Sequence, residues 1–315
     1  MQSIEKTYLA ARNSNLLLHQ SKPAVLQVVG PDSLDLLNRM STNDLQSGSI
    51  DRILKTIFTN ANARIIDIVT VIAGEDGFLL LCWQDTPTIL REWLSGYIFF
   101  QDDVHLIDST TDWELFDFIG PKARNALNNY KLLEGDSRKG LHQIAGNYLW
   151  HEPLGTLPRY RLLCHGNLAR EISSPGQRLL PPVQNKSLAE LLRIEAGQPG
   201  MGLEITRESI PLEVGLWDHI SFSIGCYIGQ EIIARMASRQ KLARTLVGIR
   251  SKEEINVGTT LQVDDRTIGM ITSFTRSPRL GWIGLALVKP GSLNETAPIS
   301  AGNVFDIRIQ TLPFE

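Results

Sequence analysis

The sequence contains few cysteines, and their spacing does not favour a disulfide framework or a zinc site. Cys82, Cys164 and Cys226 are far apart and form no CxxC pair, whereas both kinds of site need clustered cysteines. Cys82 in "FLLLCW" and Cys164 in "YRLLCH" are typical of inert cysteines in buried strands. Cys226 in "SIGCYIGQE" differs from both, because it follows a glycine in a polar segment.

Long hydrophobic runs and a strong charge of one sign are also missing. No apolar run approaches the ~20 residues of a membrane span, and the N-terminus has no basic-then-apolar signal pattern. The formal net charge is −3, which disfavours a surface built wholly for nucleic acid. We therefore expect a cytoplasmic protein with no membrane partner, and the charge disfavours a nucleic-acid partner.

An internal echo is present in the first half of the 315-residue chain. "VVGPDSLDLLN" (Val28–Asn38) matches "FIGPKARNALN" (Phe118–Asn128), each a strand end, Gly-Pro and then a helical pattern. Further along, "FLLLC" (Phe78–Cys82) and "YRLLC" (Tyr160–Cys164) follow in the same order. The echo predicts two α/β subdomains related by duplication, with chance similarity as the alternative.

The character of the sequence changes from about Leu242. Short β-branched runs such as "TLVGIR", "TIGMITSFTRS" and "VFDIRIQ" are separated by Gly, Asp and Pro. This pattern predicts a small all-β barrel or sandwich at the C-terminus.

A clear helix is predicted for "KSLAELLRIEAGQPG", with Ser187 as N-cap, Glu190 as its capping-box partner and Gly197 as the stop. Glu195 falls seven residues after Leu188 and therefore lies on or beside the apolar face. Its carboxylate needs partners there, because an unpaired buried charge costs several kcal/mol. The partners are either backbone amides or an arginine, which the residues alone favour, or a ligand with an amidine-like edge.

Two further residues have open alternatives. Asp67 interrupts the β-branched run "ARIIDIVTV" and lies either on a solvent face or towards a pocket. Cys226 is followed by a basic run that includes Arg235, Arg239 and Arg244, which could lower the pKa of its thiol. The alternative is a structural cysteine beside a solvated basic helix. The run itself could hold an anionic ligand tail or contact RNA phosphates.

Four segments resemble the YgfZ-type folate-binding proteins, relatives of the glycine-cleavage T protein, an aminomethyltransferase. They occur in the family's order: "RIEAG" (Arg193–Gly197), "IPLEVGL" (Ile210–Leu216), "GCYIGQEIIAR" (Gly225–Arg235) and "SPRLGWIGLALV" (Ser277–Val288). The resemblance implies an α+β, three-lobed fold, with two duplicated α/β subdomains around a central channel and a C-terminal β-barrel. We expect a folate-binding region over residues 1–240, with approximate subdomains 1–110 and 111–240 that can interleave, and the barrel over residues 241–315.

The resemblance also implies that the channel binds tetrahydrofolate or a one-carbon derivative of it. The family's glutamate that contacts the pterin corresponds to Glu195, which reverses the preference stated above for that residue. Tyr227, Gln230 and Arg235 of the motif are then expected beside the cofactor, and the nearby arginines are candidates for the folate's glutamate tail or for structural pairing. No resident metal site is expected.

Departures from both branches of the family bear on the chemistry. Asp67 aligns with a key aspartate of the T protein, but the paired glycines before it are Ala63 and Arg64, and the second aspartate is Ile68. The T-protein loop normally lacks the motif cysteine and carries arginine at the position of Gln230. In the YgfZ branch a lysine usually precedes Gly-Cys, and here that position is Ile224, which removes the cation nearest to the thiol.

The resemblance to the YgfZ branch therefore implies a tetrahydrofolate-binding protein that supports the assembly or repair of iron–sulfur enzymes, with Cys226 as its reactive thiol and iron–sulfur client proteins as partners. The alternative is a folate-dependent aminomethyltransferase that acts on a small amine or an aminomethyl carrier, with Asp67 holding or polarising the amine. An RNA-contacting module is the weakest hypothesis, because it rests on the basic run alone.

Overall fold

The structure is a computed structural model, and it describes residues 4–46, 53–133, 140–173, 185–223, 225–239, 241–294 and 297–314. Ile224 and most of the proline-rich connection before the RIEAG helix lie outside the described residues.

The part of the chain before the barrel contains ten strands and seven α-helices among the described residues. The strands are β1 (Leu16–Ser21), β2 (Val25–Val29), β3 (Leu54–Thr59), β4 (Ile65–Gly74), β5 (Gly77–Cys82), β6 (His105–Asp108), β7 (Glu114–Ile119), β8 (Leu141–Ile144), β9 (Asn147–His151) and β10 (Arg159–Cys164). The helices are α1 (Ile4–Asn13), α2 (Ser33–Met40), α3 (Thr88–Ser95), α4 (Ala123–Asn129), α5 (Gly166–Ser173), α6 (Lys186–Glu195) and α7 (Gln230–Arg239).

These strands form two five-stranded antiparallel sheets with the same internal order. The first sheet runs β3-β4-β5-β2-β6 and the second runs β8-β9-β10-β7-β1. In each sheet the strand before the Gly-Pro turn pairs with the strand that carries "LLC", and a helix follows each of these two strands. The duplication predicted from the sequence is confirmed.

The two Gly-Pro turns explain why the echo is visible in the sequence. Gly30 has φ +114° and Gly120 has φ +118°, and a Cβ on either would lie within 2.5 Å of a backbone oxygen. Both turns therefore require glycine, because other residues rarely adopt this conformation and have no space there.

Each half of the repeat contributes its first strand to the other sheet. β1 precedes β2 in the chain but pairs with β7, and β6 precedes β7 but pairs with β2. The two sheets then pack face to face through a shared apolar cluster that includes Leu79 and Leu81 from the first sheet and Trp150 and Leu163 from the second. Helices cover the two outer faces, α2 and α3 on one and α4 and α5 on the other.

Helix α6 begins two residues earlier than the sequence predicts. The prediction of Ser187 as N-cap is wrong, because Asn185 is the N-cap and its Oδ1 accepts a hydrogen bond from the Leu188 amide. Glu190 forms an ion pair with Arg193 instead of completing a capping box. The predicted stop at Gly197 is confirmed, since this residue has φ +68° and its amide donates to the Ile194 carbonyl.

The C-terminal strands form a closed barrel, as predicted. In the order β11-β14-β13-β12-β15-β16 they are β11 (Thr245–Ser251), β14 (Gly281–Val288), β13 (Arg266–Ser277), β12 (Thr260–Val263), β15 (Ile299–Ala301) and β16 (Val304–Gln310). Helix α6 joins this barrel to the sheets, because Ile194 packs against Ile283 and Leu285 of β14. Within the described residues, no helix is long and apolar enough to cross a membrane.

Candidate functional site

Three adjoining cavities lie where the two sheets, α6 and the barrel meet. The barrel-side cavity, about 970 Å³, is lined by residues of the first sheet, the segment after α6, the turns around Trp217 and the barrel. The middle cavity, about 250 Å³, shares Trp83, Gln198 and Pro199 with it. The helix-side cavity, about 600 Å³, in turn shares Gln20 with the middle cavity. The shared lining residues therefore connect the three cavities in a row.

The barrel-side cavity is apolar and aromatic over much of its wall. Trp83, Val214, Leu216 and Leu312 line it, and the ring of Trp83 meets that of His219 edge-on at a centroid distance of 6.0 Å. A cavity of this size and lining accommodates a planar drug-sized molecule.

His219 contributes an unpartnered imidazole to this wall. Neither ring nitrogen makes a hydrogen bond to any described residue, although both nitrogens are shielded from solvent. Burial, assisted by the charge of Lys55, lowers the pKa of His219 to about 4. The ring is therefore neutral near pH 7, with one N–H donor and one acceptor for a ligand.

Asp67 lies behind the wall of the middle cavity. It is fully buried in β4, and its Oδ1 accepts a hydrogen bond from the Ile68 amide at 2.7 Å. Its Oδ2 makes no hydrogen bond to any described residue. Burial raises the pKa of Asp67 to about 7, although the Cys82 thiol and nearby backbone amides, including that of Gln84, act in the opposite direction. Of the two alternatives for this residue, the solvent-facing one is excluded.

Glu195 is buried in a network that joins α1, α6 and the barrel. Its Oε1 accepts hydrogen bonds from Tyr8 Oη at 2.8 Å and Ser277 Oγ at 2.5 Å, and its Oε2 accepts one from Arg12. Both carboxylate oxygens therefore have protein partners. The contact of Glu195 with a pterin stays a prediction, and the residues next to it, from Ala196 to Pro199, are the ones that line the barrel-side cavity.

The motif loop is docked on the turn between β3 and β4. Tyr227 is buried in the cluster that contains Ile65 and Ile68 of β4, and Thr59 Oγ1 donates to the Ile228 carbonyl at 2.6 Å. Gly229 has φ +88°, and a Cβ there would lie 2.7 Å from the Asn60 carbonyl oxygen. The loop that follows Cys226 is thereby fixed next to the strand that carries the buried acid.

The other motif residues lie towards the surface. Cys226 is an exposed free cysteine, and it is absent from the linings of the three central cavities. Gln230 begins α7, and Arg235 is exposed on that helix, with no place in the same linings. Arg244 donates to Glu213 Oε2 at 3.0 Å, which is the structural pairing considered for it. In the described ranges no group of three or more His, Cys, Asp or Glu side chains could hold a metal ion.

Sequence reasoning missed most of the cavity wall. Trp83 lies in the bend after β5 and His219 ends a three-residue 3-10 helix, so no helical or strand period marks either residue. Lys55 and Arg161 look like ordinary strand cations in the sequence, although the match of "YRLLC" with "FLLLC" could have drawn attention to Arg161, which stands where the first copy has Leu79. Their position at the cavities depends on the face-to-face packing of the two sheets.

Fold and site together define a three-lobed α+β protein with a ligand-sized cavity at the junction of its lobes. Comparison with known families gives two matches. Residues 1–138 match the GCVT N-terminal domain, and residues 244–314 match the glycine cleavage T-protein C-terminal barrel domain. The chain therefore carries the N-terminal domain and the barrel domain of the T-protein-like family.

Individual relatives agree with this assignment. A protein of Arabidopsis thaliana named "Putative transferase At1g60990, chloroplastic" is 29% identical, with 92% of this chain and 68% of that protein covered. The aminomethyltransferase of Bacillus subtilis is 25% identical, with 98% and 87% covered. The crystal structure of the glycine cleavage system aminomethyltransferase T from Bartonella henselae superposes with a TM-score of 0.86 at 18% identity, over 99% of this chain and 89% of that one, which confirms the fold.

Proposed function

We propose that the protein binds a tetrahydrofolate in the barrel-side cavity and takes part in transfer of a one-carbon group. The observation that carries the proposal is a cavity of about 970 Å³ with an aromatic wall at Trp83 and an unpartnered imidazole at His219. The similarity of this chain to aminomethyltransferases supports the choice of ligand class.

The residues present fit such a ligand. Trp83 and Leu216 offer apolar surface to a flat bicyclic ring, and stacking on an aromatic ring suits it. His219 offers one donor and one acceptor to polar groups on the edge of the ring. Tyr227 holds the motif loop in place from the core, whereas Gln230, Arg235 and Glu195 stay candidates for direct contact. When bound, tetrahydrofolate supplies the nitrogen that carries the one-carbon group.

Asp67 is the candidate for the reacting end. A carboxyl with a pKa of about 7 and a free Oδ2 is able to hold the proton of an amine or to stabilise the positive charge that an amine develops. This role is electrostatic and requires no covalent bond to the protein. Access to the buried oxygen would be through the Cys82–Gln84 wall of the middle cavity.

Calorimetric titration with tetrahydrofolate tests the proposal. We expect Trp83→Ala to weaken binding at least about tenfold, because it removes the aromatic wall that both cavities share. Trp282→Ala is the matched control, since this tryptophan packs on Phe274 of the barrel and should leave affinity within about threefold. Absence of saturable binding to the wild type, or equal affinities of both variants, would refute the folate assignment.

A second candidate function is support of iron–sulfur enzymes through Cys226, in which clusters or client enzymes are the cargo. It is favoured by the exposure of this thiol on a loop that Gly229 and Tyr227 anchor. Cys226→Ser should then abolish the activity of iron–sulfur enzymes in cells that depend on this protein, while tetrahydrofolate affinity stays unchanged. The neighbouring exposed Ser223→Ala is the control, and full support by Cys226→Ser would eliminate this candidate.

A further inference from the structure

A buried charged cluster lies where the two sheets meet the central cavities. Lys55 comes from β3 of the first sheet, and Asp117, Glu152, Arg159 and Arg161 come from the second sheet and the segment after β9. Arg159 and Arg161 line the middle cavity, and Lys55 lines the barrel-side cavity beside it. Charges brought together from two sheets at a cavity wall are costly to bury unless they are paired or functional.

The two carboxylates of the cluster are already engaged by its cations. Glu152 Oε1 lies 2.6 Å from Arg159 Nη2 and 2.9 Å from Lys55 Nζ, and Asp117 Oδ1 accepts from Arg161 Nε at 2.9 Å. Although burial acts to raise it, the pKa of Glu152 is held well below its usual range by Arg161, Arg159 and Lys55. Glu152 is therefore ionised at neutral pH.

Within the cluster, three cations face two carboxylates. Arg193, a further cation of the middle cavity wall, pairs with Glu190 and Glu204, and the lining acids Asp85 and Asp218 are exposed to solvent. Burial, with the charges of Arg159 and Arg161, lowers the pKa of Lys55, although Glu152 opposes this. A further anion near Lys55 would relieve the repulsion among the three cations.

Lys55 and Arg161 also have more N–H donors at the cavity wall than their ion pairs with Glu152 and Asp117 use. Lys55 carries three N–H donors and forms an ion pair with Glu152. Arg161 carries five donors, with Nε directed to Asp117 and Nη1 3.6 Å from Glu152 Oε2. Arginine and lysine together form the usual recognition set for carboxylate and phosphate oxygens.

We propose that the junction of the middle and barrel-side cavities, beside Lys55 and Arg161, is an anion-binding subsite that takes a carboxylate group. The inference rests on the proposed function in that the carboxylate would belong to a molecule bound next to the folate or to the glutamyl tail of the folate. In both cases Lys55 and Arg161 donate to the carboxylate, and Trp83 forms the wall that separates it from the heteroaromatic ring.

Acetate and acetamide are the minimal probes, because they have the same shape and differ in charge. We expect ligand-detected NMR titration to show saturable binding of acetate and none of acetamide over the same range. Lys55→Met should weaken the binding of acetate at least about tenfold. Lys55→Arg keeps the charge, so its affinity for acetate should be within about threefold of the wild type. Lys252→Met is the matched control, since Lys252 is 81% exposed on the barrel and pairs with Asp306.

A second pair of probes identifies the source of the carboxylate. Tetrahydropteroate lacks the glutamyl group of tetrahydrofolate. If Lys55→Met weakens the binding of tetrahydrofolate but not that of tetrahydropteroate, the glutamyl tail occupies the subsite. If Lys55→Met weakens the binding of acetate but leaves the affinity for both folates unchanged, a separate small carboxylate occupies the subsite. The inference is overturned if the wild type binds acetate no better than acetamide, or if Lys55→Met and Lys252→Met behave alike. Acetate binding without any tetrahydrofolate binding would instead refute the proposed function and leave the subsite intact.

Discussion

Asp67 is a buried acid whose pKa differs between the folded and unfolded chain. Burial raises the value from 3.8 to about 7, so the folded protein keeps the proton up to about pH 7, whereas the unfolded chain releases it near pH 4. The folded state therefore binds more protons between these values, and the free energy of unfolding decreases as the pH rises from about 4 to 7. Above pH 7 this contribution is constant.

We predict that Asp67→Asn removes the decrease in the free energy of unfolding between about pH 4 and pH 7. Each pKa unit corresponds to about 1.4 kcal/mol, so the variant should gain up to about 4 kcal/mol relative to the wild type between pH 4 and pH 8. Urea unfolding at both pH values measures the difference. Asp112→Asn, at an exposed acid, should show the wild-type pH dependence. A constant difference between Asp67→Asn and the wild type at both pH values would show that Asp67 is ionised throughout.

Glu195 illustrates what residue-level reasoning can and cannot supply. Its place on the apolar face of α6 is visible in the sequence, and it correctly predicts burial at 2% exposure. Its partners Tyr8 and Arg12 lie more than 180 residues earlier in the chain, on α1. No local pattern connects such distant positions, so the choice between a protein partner and a ligand could not be made from the residues alone.

At the scale of the element, the motif loop contains two glycines with different requirements. Gly229 needs its positive φ and its close approach to the β3–β4 turn, whereas nothing lies within 4 Å of a Cβ placed on Gly225. In the sequence, the two glycines near Cys226 suggest one common purpose. In the structure, only Gly229 has a packing role.

Gly229→Ala should destabilise the protein by roughly 2–4 kcal/mol, because the strained φ and the overlap with the Asn60 carbonyl both oppose a methyl group. Gly225→Ala should stay within about 0.5 kcal/mol of the wild type. Chemical denaturation of the two variants makes the comparison. Equal effects at both positions would mean that the loop does not rest on the β3–β4 turn.

The start of α6 shows that a capping pattern in the sequence does not always identify the N-cap. Ser187 followed by Glu190 matches a capping box, yet Asn185 forms the cap two residues earlier. A sequence that offers two competent caps close together does not specify which one the chain uses, and Glu190 is taken by Arg193 instead. The C-terminal stop is better determined, because Gly197 alone tolerates the conformation required there.

At the scale of the whole molecule, the duplicated fold and the barrel could be predicted because each leaves a local mark. The Gly-Pro turns repeat for a conformational reason, and the barrel strands are separated by turn residues. The central site leaves no such mark. Trp83, Lys55 and Arg161 come from two sheets whose relative packing is set by apolar residues elsewhere, so their meeting follows from the tertiary structure.

The exchange of β1 and β6 between the sheets has a consequence for how such a chain could have arisen. Two identical single-unit ancestors that traded their first strands would form a domain-swapped homodimer with this same arrangement. Joining the copies end to end preserves every strand partner. Each half is thus completed by a strand that its neighbour supplies. A substitution that disrupts the first strand of one half therefore disrupts the sheet of the other half.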